Sequence, residues 1–538
     1  MTSDIPDLLA SRAALSPDRI AIEETATGRS FDYAALDRRA SAAAGLLATR
    51  GVREGDRVAI LCRNRAAFFE ILFACARLGA ILVPLNWRMP PGELAQLVAD
   101  CTPALLIHGG EDRAAAAALG LPLLSLDEEY EIALSAVEPR WGRRRWPSDG
   151  IWYLLYTSGT TGTPKGVIYT FEMALANYVN VRSATSLSAS DSTANFLPLF
   201  HTGGINLHSL PALIAGARLV LLPGVDVDAL VALFAARRLD LFFALPPVYQ
   251  SLIDHPGFAQ APLDHVRHWS CGGAPLPNAL AERCRLLGIR VCNGMGMTET
   301  GPMAFLADPA DAWDHMGSVG KPQLLCDVRI VDEAGRDVPD DMVGNLLFAG
   351  PGVTPGYWRN EEATRDAFTE DGWLKSGDLA RRDSEGLYYV EGRQKEMFIS
   401  GGENVYPAEI ENVLVAHPAI RDAAVVAAPD EKWGEVGRAY VVPISGVVAL
   451  DASELTSFCR ARLAAYKIPR RFEVVADFPR TAAGKVQKHL LGQAEKRADA
   501  IWSEAKPSVS ARRSEDDRDH DDQQNKRADA DRDIPAHR

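Results

Sequence analysis

Short apolar runs alternate with longer amphipathic stretches through the first half of the chain. Val58-Ala59-Ile60-Leu61 precedes a stretch of helical spacing from Ala66 to Arg77, and Ile81-Leu82-Val83-Pro84 follows it. A strand buried on both faces has no polar side to alternate with, so apolar run, amphipathic helix and second apolar run together predict a βαβ unit. The pattern recurs as Leu241-Phe242-Phe243-Ala244, a helix near Val248 to Ile253, His268-Trp269-Ser270, a helix from Asn278 to Leu287, and Ile289-Arg290-Val291-Cys292. It predicts helix-covered, mainly parallel sheets, with ligands at the carboxyl ends of the strands.

Beyond about Lys321 the texture changes. Asp327-Val328-Arg329-Ile330-Val331 before Asp332-Glu333-Ala334-Gly335, and Leu387-Tyr388-Tyr389-Val390 after Asp383-Ser384-Glu385-Gly386, read as antiparallel strands with tight turns. After Arg393 the order is a helix around Pro407 to Val415, strands at Asp422 to Ala428 and Arg438 to Val442, and a helix from Ser453 to Ala465, which suits a small α+β domain. From Pro507 to Arg538 hydrophobic residues nearly vanish and Asp, Arg and Gln dominate, so a disordered charged tail is expected.

Composition narrows the function classes. The 538 residues are 47% hydrophobic and 24% charged, ordinary for a globular chain of several units. With 57 Lys and Arg against 71 Asp and Glu, the net charge is −14, which argues against a protein that coats nucleic acid or anionic lipid. Any anionic ligand must be gripped locally. No two of the eight cysteines stand at C-x-x-C spacing, so buried, reduced thiols are expected rather than a zinc or dithiol site. No apolar run approaches the ~20 residues that cross a bilayer, and the start has no leader pattern, so a cytoplasmic protein without transmembrane segments is expected.

Two stretches carry chemistry. Tyr156-Thr157-Ser158-Gly159-Thr160-Thr161-Gly162-Thr163-Pro164-Lys165-Gly166 follows the apolar strand Ile151 to Leu155. Glycines and small hydroxyls let backbone N–H groups converge on phosphate oxygens and the lysine adds a point charge, so the stretch reads as a polyphosphate grip. Pro164 and Gly166 stand where a Walker A loop needs Gly and Ser or Thr. Asn293-Gly294-Met295-Gly296-Met297-Thr298-Glu299-Thr300-Gly301 is a glycine turn at a strand end, where a nucleotide can lie against backbone; Glu299 occupies the place of the third glycine of a dinucleotide fingerprint, which excludes that motif.

These stretches, with Gly372-Trp373-Leu374-Lys375-Ser376-Gly377-Asp378, Gly401-Gly402-Glu403-Asn404-Val405-Tyr406-Pro407 and Pro479-Arg480-Thr481-Ala482-Ala483-Gly484-Lys485, occur in the order found in the adenylate-forming superfamily. The chain resembles that superfamily, which unites acyl- and aryl-CoA synthetases, peptide-synthetase adenylation domains and firefly luciferase, from about residue 10 to 495. The resemblance implies an α/β protein. A large N-terminal adenylation domain (1–392) of mainly parallel sheets plus an antiparallel barrel-like subdomain would precede a small α+β lid (393–500) and the tail (501–538).

Site roles follow from the resemblance alone. Thr157, Ser158, Gly159, Thr160, Thr161 and Lys165 would hold the phosphates of ATP, and Asn293, Gly294, Met295, Gly296, Met297 and Thr298 the nucleotide. Glu299 would hold Mg²⁺. Asp378 would accept the ribose hydroxyls, with Arg393 beside it, and Lys395 would be the hinge. Gly401 and Gly402 would admit coenzyme A, and Lys485 would be the mobile catalytic lysine, acting with Lys165, Thr298 and Glu299. Met295 departs from the family, which usually has an aromatic residue there to stack on adenine.

His201, Thr202, Gly204 and Ile205, with Gly272, Gly273 and Met297, are expected to line the acid pocket. His201 stands where peptide-synthetase domains carry an aspartate for the substrate ammonium, so an apolar fatty or aromatic acid is expected, hydroxycinnamate and benzoate types included. A satisfied core histidine is the competing reading of His201. The implied activity is an AMP-forming acid–CoA ligase working on a small-molecule acid, ATP and CoA as a monomer or homodimer. A ligase loading a carrier protein, a luciferase-type oxygenase and a non-catalytic nucleotide sensor remain open alternatives.

Overall fold

The computed structural model describes residues 4–140, 142–157, 164–430, 432–444, 450–480 and 486–491. Two compact units divide between Lys488 and His489. The charged tail and Lys485 lie outside the described residues.

The first unit is built on two large sheets. One runs in the order Lys165–Thr170, Ile151–Thr157, Ile81–Pro84, Arg57–Leu61, Leu105–His108 and Leu123–Ser125; only the first pair is antiparallel. The other is nine-stranded, and its parallel centre runs Val291–Met295, His268–Cys271, Leu241–Ala244, Ser192–Asn195, Arg218–Leu221 and Ile20–Glu24. The βαβ reading is met: helix Ala66–Leu78 lies between Arg57–Leu61 and Ile81–Pro84, and ends on Gly79 in the left-handed region (φ 70°), where a residue without Cβ is unstrained. One continuous core joins this helix to Phe171–Thr185 and Ser209–Ala215, the helices between the two sheets.

The antiparallel region is an open sheet, not the barrel expected from the sequence. Its four strands lie in the order Asp327–Val331, Gly344–Ala349, Leu374–Arg382 and Tyr388–Arg393, and the two outer strands do not pair with each other. Four strands are too few to close around a packed interior. Instead one face packs on the second glycine turn, in a core that holds Met295, Met297 and Phe305 together with Leu374, Ala380 and Tyr388.

Beyond Arg393, helix Pro407–Val415 packs on strands Ile420–Asp430 and Gly434–Pro443. The last sequence-predicted helix is shorter than expected, Ala452–Arg460, because the chain turns there so that Leu463, Tyr466 and Ile468 reach the small core. All eight cysteines are free, seven of them buried. Among the described residues no helix is long and apolar enough to cross a membrane.

Candidate active site

The first glycine-rich stretch leaves one strand and returns on its neighbour. Ile151–Thr157 pairs antiparallel with Lys165–Thr170 in a register that sets Thr157 opposite Lys165. Ser158, Gly159, Thr160 and Thr161 lie outside the described residues. Segment Thr354–Trp358 is zipped along the far side of the second strand: Ile168 N–H donates to the Gly356 carbonyl at 3.1 Å, and Trp358 N–H to that of Gly166 at 2.7 Å. This places the Tyr357 ring under the Lys165 ammonium, 5.2 Å from centroid to nitrogen. The Tyr357 hydroxyl donates to Glu299 Oε1 at 3.0 Å. Burial and the adjacent Glu299 charge push this phenol above its ordinary range, so it stays a donor.

Lys165, Tyr357 and Glu299 thus form one cluster. Tyr357 was missed by the sequence reading; the Gly356-Tyr357-Trp358 run, aromatics directly after a glycine, is the signal that could have found it. Tyr357→Phe keeps the ring under Lys165 but removes a hydrogen bond to a charged group, worth ~1.5–3 kcal/mol. Steady-state kinetics should therefore give an apparent KM for Mg-ATP raised roughly tenfold or more, with thermal unfolding little changed; an unaltered KM would remove Tyr357 from the site.

The second turn is bound to segment 202–206 by a directional chain of hydrogen bonds. Tyr153 O–H donates to Asn206 Oδ1 at 2.7 Å, and Asn206 Nδ2 donates to Thr202 Oγ1 at 3.2 Å. Thr202 Oγ1 and the Tyr169 hydroxyl are 2.7 Å apart, and Tyr169 donates onward to the Thr298 carbonyl at 2.6 Å. All four side chains are at least nine-tenths buried, so each bond is made away from competing water. Tyr153, Tyr169 and Asn206 carry no motif in the sequence.

Several sequence-predicted glycines prove to be packed against the protein's own backbone. A Cβ on Gly296 would stand 1.5 Å from the Pro302 carbonyl oxygen, and one on Gly204 2.2 Å from that of Pro198. Gly272 and Gly294 face each other, a Cβ on the former lying 3.1 Å from the carbonyl oxygen of the latter, so the end of strand His268–Cys271 abuts the second glycine turn there. Ile205 is fully buried in the main core. His201 Nδ1 accepts the Gly203 N–H at 3.1 Å, and the Asn293 amide donates to the Ser318 carbonyl at 3.1 Å. Gly273 is in the left-handed region (φ 80°), with only Leu245 within contact of a Cβ.

Asp378 and Arg393 are direct cross-strand partners, Nε to Oδ1 at 2.9 Å, and a second guanidinium nitrogen donates to the Ser376 carbonyl at 3.1 Å. Asp378 is buried, so this arginine both compensates and orients its carboxylate. In the small domain, a Cβ on Gly401 would meet the Trp433 ring at 2.6 Å, whereas nothing lies within 4 Å of one on Gly402. The stems of the Lys485 segment are ion-paired. Arg480 meets Asp422, and Lys488 meets Glu396, beside Lys395, at 2.6 Å and Glu411 at 2.8 Å. Burial works against the Lys488 charge, yet the two carboxylates hold its pKa above the lysine norm.

Among the described residues no three His, Cys, Asp or Glu side chains form a metal cage. Glu299 offers one carboxylate with a single hydroxyl on it among the described residues. That donor set suits Mg²⁺, which takes one or two carboxylates and completes its shell with phosphate oxygens and water.

Known proteins resemble the chain along most of its length. The sequence model of the AMP-binding enzyme family matches residues 9–358, and that of the AMP-binding enzyme C-terminal domain matches 409–485. The chain is 39% identical over 482 residues to a feruloyl-CoA synthase from an Amycolatopsis species, across 89% of this chain and 96% of that protein. It is 38% identical over 504 residues to the indoleacetate–CoA ligase of Aromatoleum aromaticum, across 91% and 98%. The o-succinylbenzoate CoA synthetase of Bacillus subtilis, solved with its acyl-adenylate intermediate, superposes with a TM-score of 0.84 at 32% identity, covering 91% of this chain and 98% of that one.

Proposed function

The chain belongs to the AMP-binding enzyme family, and from that premise we propose that it is an ATP-dependent carboxylic acid–CoA ligase that forms an acyl-adenylate and then an acyl-CoA thioester. The observation that carries this reading is the Lys165–Tyr357–Glu299 cluster, a cation and a carboxylate held at the mouth of a glycine-rich hairpin. A carboxylate is a poor acyl donor because its leaving oxide is too basic. Transfer of AMP turns that oxygen into a phosphate leaving group, so no covalent bond to the protein is required.

The work is positioning and charge stabilisation. Lys165 faces the β- and γ-phosphates, and Thr298 the α-phosphate. Glu299 would hold Mg²⁺, which supplies neutralisation of phosphate charge. Asp378, fixed by Arg393, accepts the ribose hydroxyls. Met295 offers a polarizable thioether to the adenine in place of the family's aromatic ring. Lys485 would bridge the carboxylate oxygen and the α-phosphate as the new P–O bond forms and the bond between the α- and β-phosphates breaks, with pyrophosphate as the leaving group. The thiol of CoA then attacks the acyl carbonyl and AMP leaves.

The two half-reactions need different groups over one cleft, so residues 393–500 act as a lid. Turning at Lys395, it would withdraw Lys485 and bring in Gly401 and Gly402, with Trp433 walling the thiol's route. The acid is apolar and aromatic: named relatives act on ferulate and indoleacetate, and His201 supplies no anchor for a substrate ammonium. Acid-dependent pyrophosphate release across fatty, benzoic, phenylacetic, indoleacetic and hydroxycinnamic acids tests the proposal. Release with ATP and Mg²⁺, followed by thioester on addition of CoA, is expected. Silence across the whole panel would overturn the ligase reading, and thioester formed only on a carrier protein would move the acceptor from CoA.

A further inference from the structure

Strand His268–Cys271, which leads into Gly272, carries polar side chains that find no hydrogen-bond partner among the described residues. Side chains alternate along a strand, so His268, Ser270 and position 272 share a face, at about 7 Å per step of two residues. Phe243 pairs with Ser270 across the sheet, lies 3.6 Å from where a Cβ on Gly272 would stand, and meets the His208 ring at 5.8 Å between centroids. His208 directly follows the Gly203–Leu207 segment of the acid pocket, and its Nδ1 pairs with Thr193 Oγ1 at 2.9 Å. Four segments of chain therefore converge beneath Gly272.

Among the described residues, His208 Nε2, His268 Nε2 and Ser270 Oγ are buried with no hydrogen-bond partner, in residues 5%, 4% and 0% exposed. A buried polar atom without a partner is costly, so three of them on neighbouring segments are more than a packing role alone explains. A ligand group that bonds to them removes that cost. Resting on the ligase reading above, we propose that Ser270, His268 and His208 form the floor of the acid pocket and select an aryl acid whose far end carries a neutral hydrogen-bonding group, such as a phenolic hydroxyl.

The floor is uncharged. Burial drives His208 down to about 3, helped by its neighbour His268, and drives His268 down to about 4, helped by Arg267. Each neutral imidazole then presents its Nε2 as either a donor or an acceptor, and a hydroxyl can answer both. A second carboxylate would find no cation for itself: the Arg267 guanidinium is taken by Asp191 and by the Thr185 and Ser186 carbonyls. Strand rise puts Ser270 about 7 Å and His268 about 13 Å below Gly272, a depth that suits a ring on a short unsaturated arm rather than a bare benzoate.

The test compares kcat/KM, read as pyrophosphate release, for cinnamate, 4-hydroxycinnamate and 4-carboxycinnamate. The wild type should favour 4-hydroxycinnamate over cinnamate by roughly tenfold to a hundredfold and reject 4-carboxycinnamate. His268→Leu should bring the first ratio to within about threefold of unity while cinnamate turnover survives, and His268→Gln, which keeps a donor and an acceptor, should restore part of it. Equal use of cinnamate and 4-hydroxycinnamate by the wild type would overturn the proposal without any variant and leave the ligase assignment standing. Preference for 4-carboxycinnamate, or for alkanoic over all aryl acids, would do the same. No pyrophosphate release with any acid would take down the ligase reading itself.

Discussion

Lys485→Ala is expected to slow acyl-adenylate formation about a hundredfold or more, the scale of losing one preorganised donor at a developing charge. Thioester formation from supplied acyl-AMP should stay within about threefold of wild type, because that step no longer needs a cation bridging carboxylate and α-phosphate. The ion pairs flanking the segment sharpen the expectation. Arg480 is ion-paired with Asp422, and Lys488 with Glu396 and Glu411, so the described residues on either side of the segment are tied to the small domain, as the proposed lid movement requires. Truncating Lys485 leaves those anchors intact, and thermal unfolding should not change. Rapid-quench measurement of acyl-AMP, alongside thioester formation from synthetic acyl-AMP, checks both halves. Equal loss in the two steps would sink the alternating-lid account, since one amine would then be serving both.

The parallel layers were legible because their evidence is local. A strand buried on both faces must be an apolar run, and Arg57–Leu61, Ile81–Pro84 and Leu241–Ala244 are. Helix Pro407–Val415 was equally plain, with proline at its first turn and apolar positions at helical spacing. What the sequence withheld depends on contacts made far along the chain. Tyr357 comes beside Lys165 and Glu299 because its segment is zipped to strand Lys165–Thr170, with Thr354 Oγ1 bonded to the Ile168 carbonyl 186 residues away. The Tyr153–Asn206–Thr202–Tyr169 chain likewise joins three separate elements, and each of its tyrosines, read alone, is an ordinary core aromatic. The antiparallel strands were visible singly, but whether the outer two meet is a property of the assembled sheet, which is why closure was misjudged.

The sequence supplied one reason for the glycines, and the structure adds another. At Gly294 and Gly296 the sequence suggested room for a nucleotide against the backbone; at Gly272 and Gly273, room for the acid, with Gly204 among the expected lining residues. The structure adds a second demand, since a Cβ at Gly204 or Gly296 would collide with a carbonyl of the protein itself. Close backbone approach leaves the same signature whichever partner approaches, so spacing alone cannot tell ligand from chain.

That second demand makes Gly296→Ala the other large expected effect. Its Cβ would stand 1.5 Å from the Pro302 oxygen and 3.3 Å from the Ala304 nitrogen. Pro302 cannot readily yield, because its carbonyl accepts the Thr300 hydroxyl at 3.2 Å and the next residue, Met303, is held by Asn177 and Asn180 from the helix behind it. The turn from Met295 to Thr298 must move instead, by more than an ångström, and misplacement on that scale costs about a hundredfold in a positioned reaction. Adenylation should therefore fall about a hundredfold or more, with thermal unfolding lowered as well. Gly92→Ala, in helix Pro91–Cys101 with nothing within 4 Å of the new Cβ, is the matched control and should leave both unchanged or raise stability slightly. Near-normal adenylation in Gly296→Ala would mean that the turn can shift without cost, and that Thr298 and Glu299 are not positioned through it.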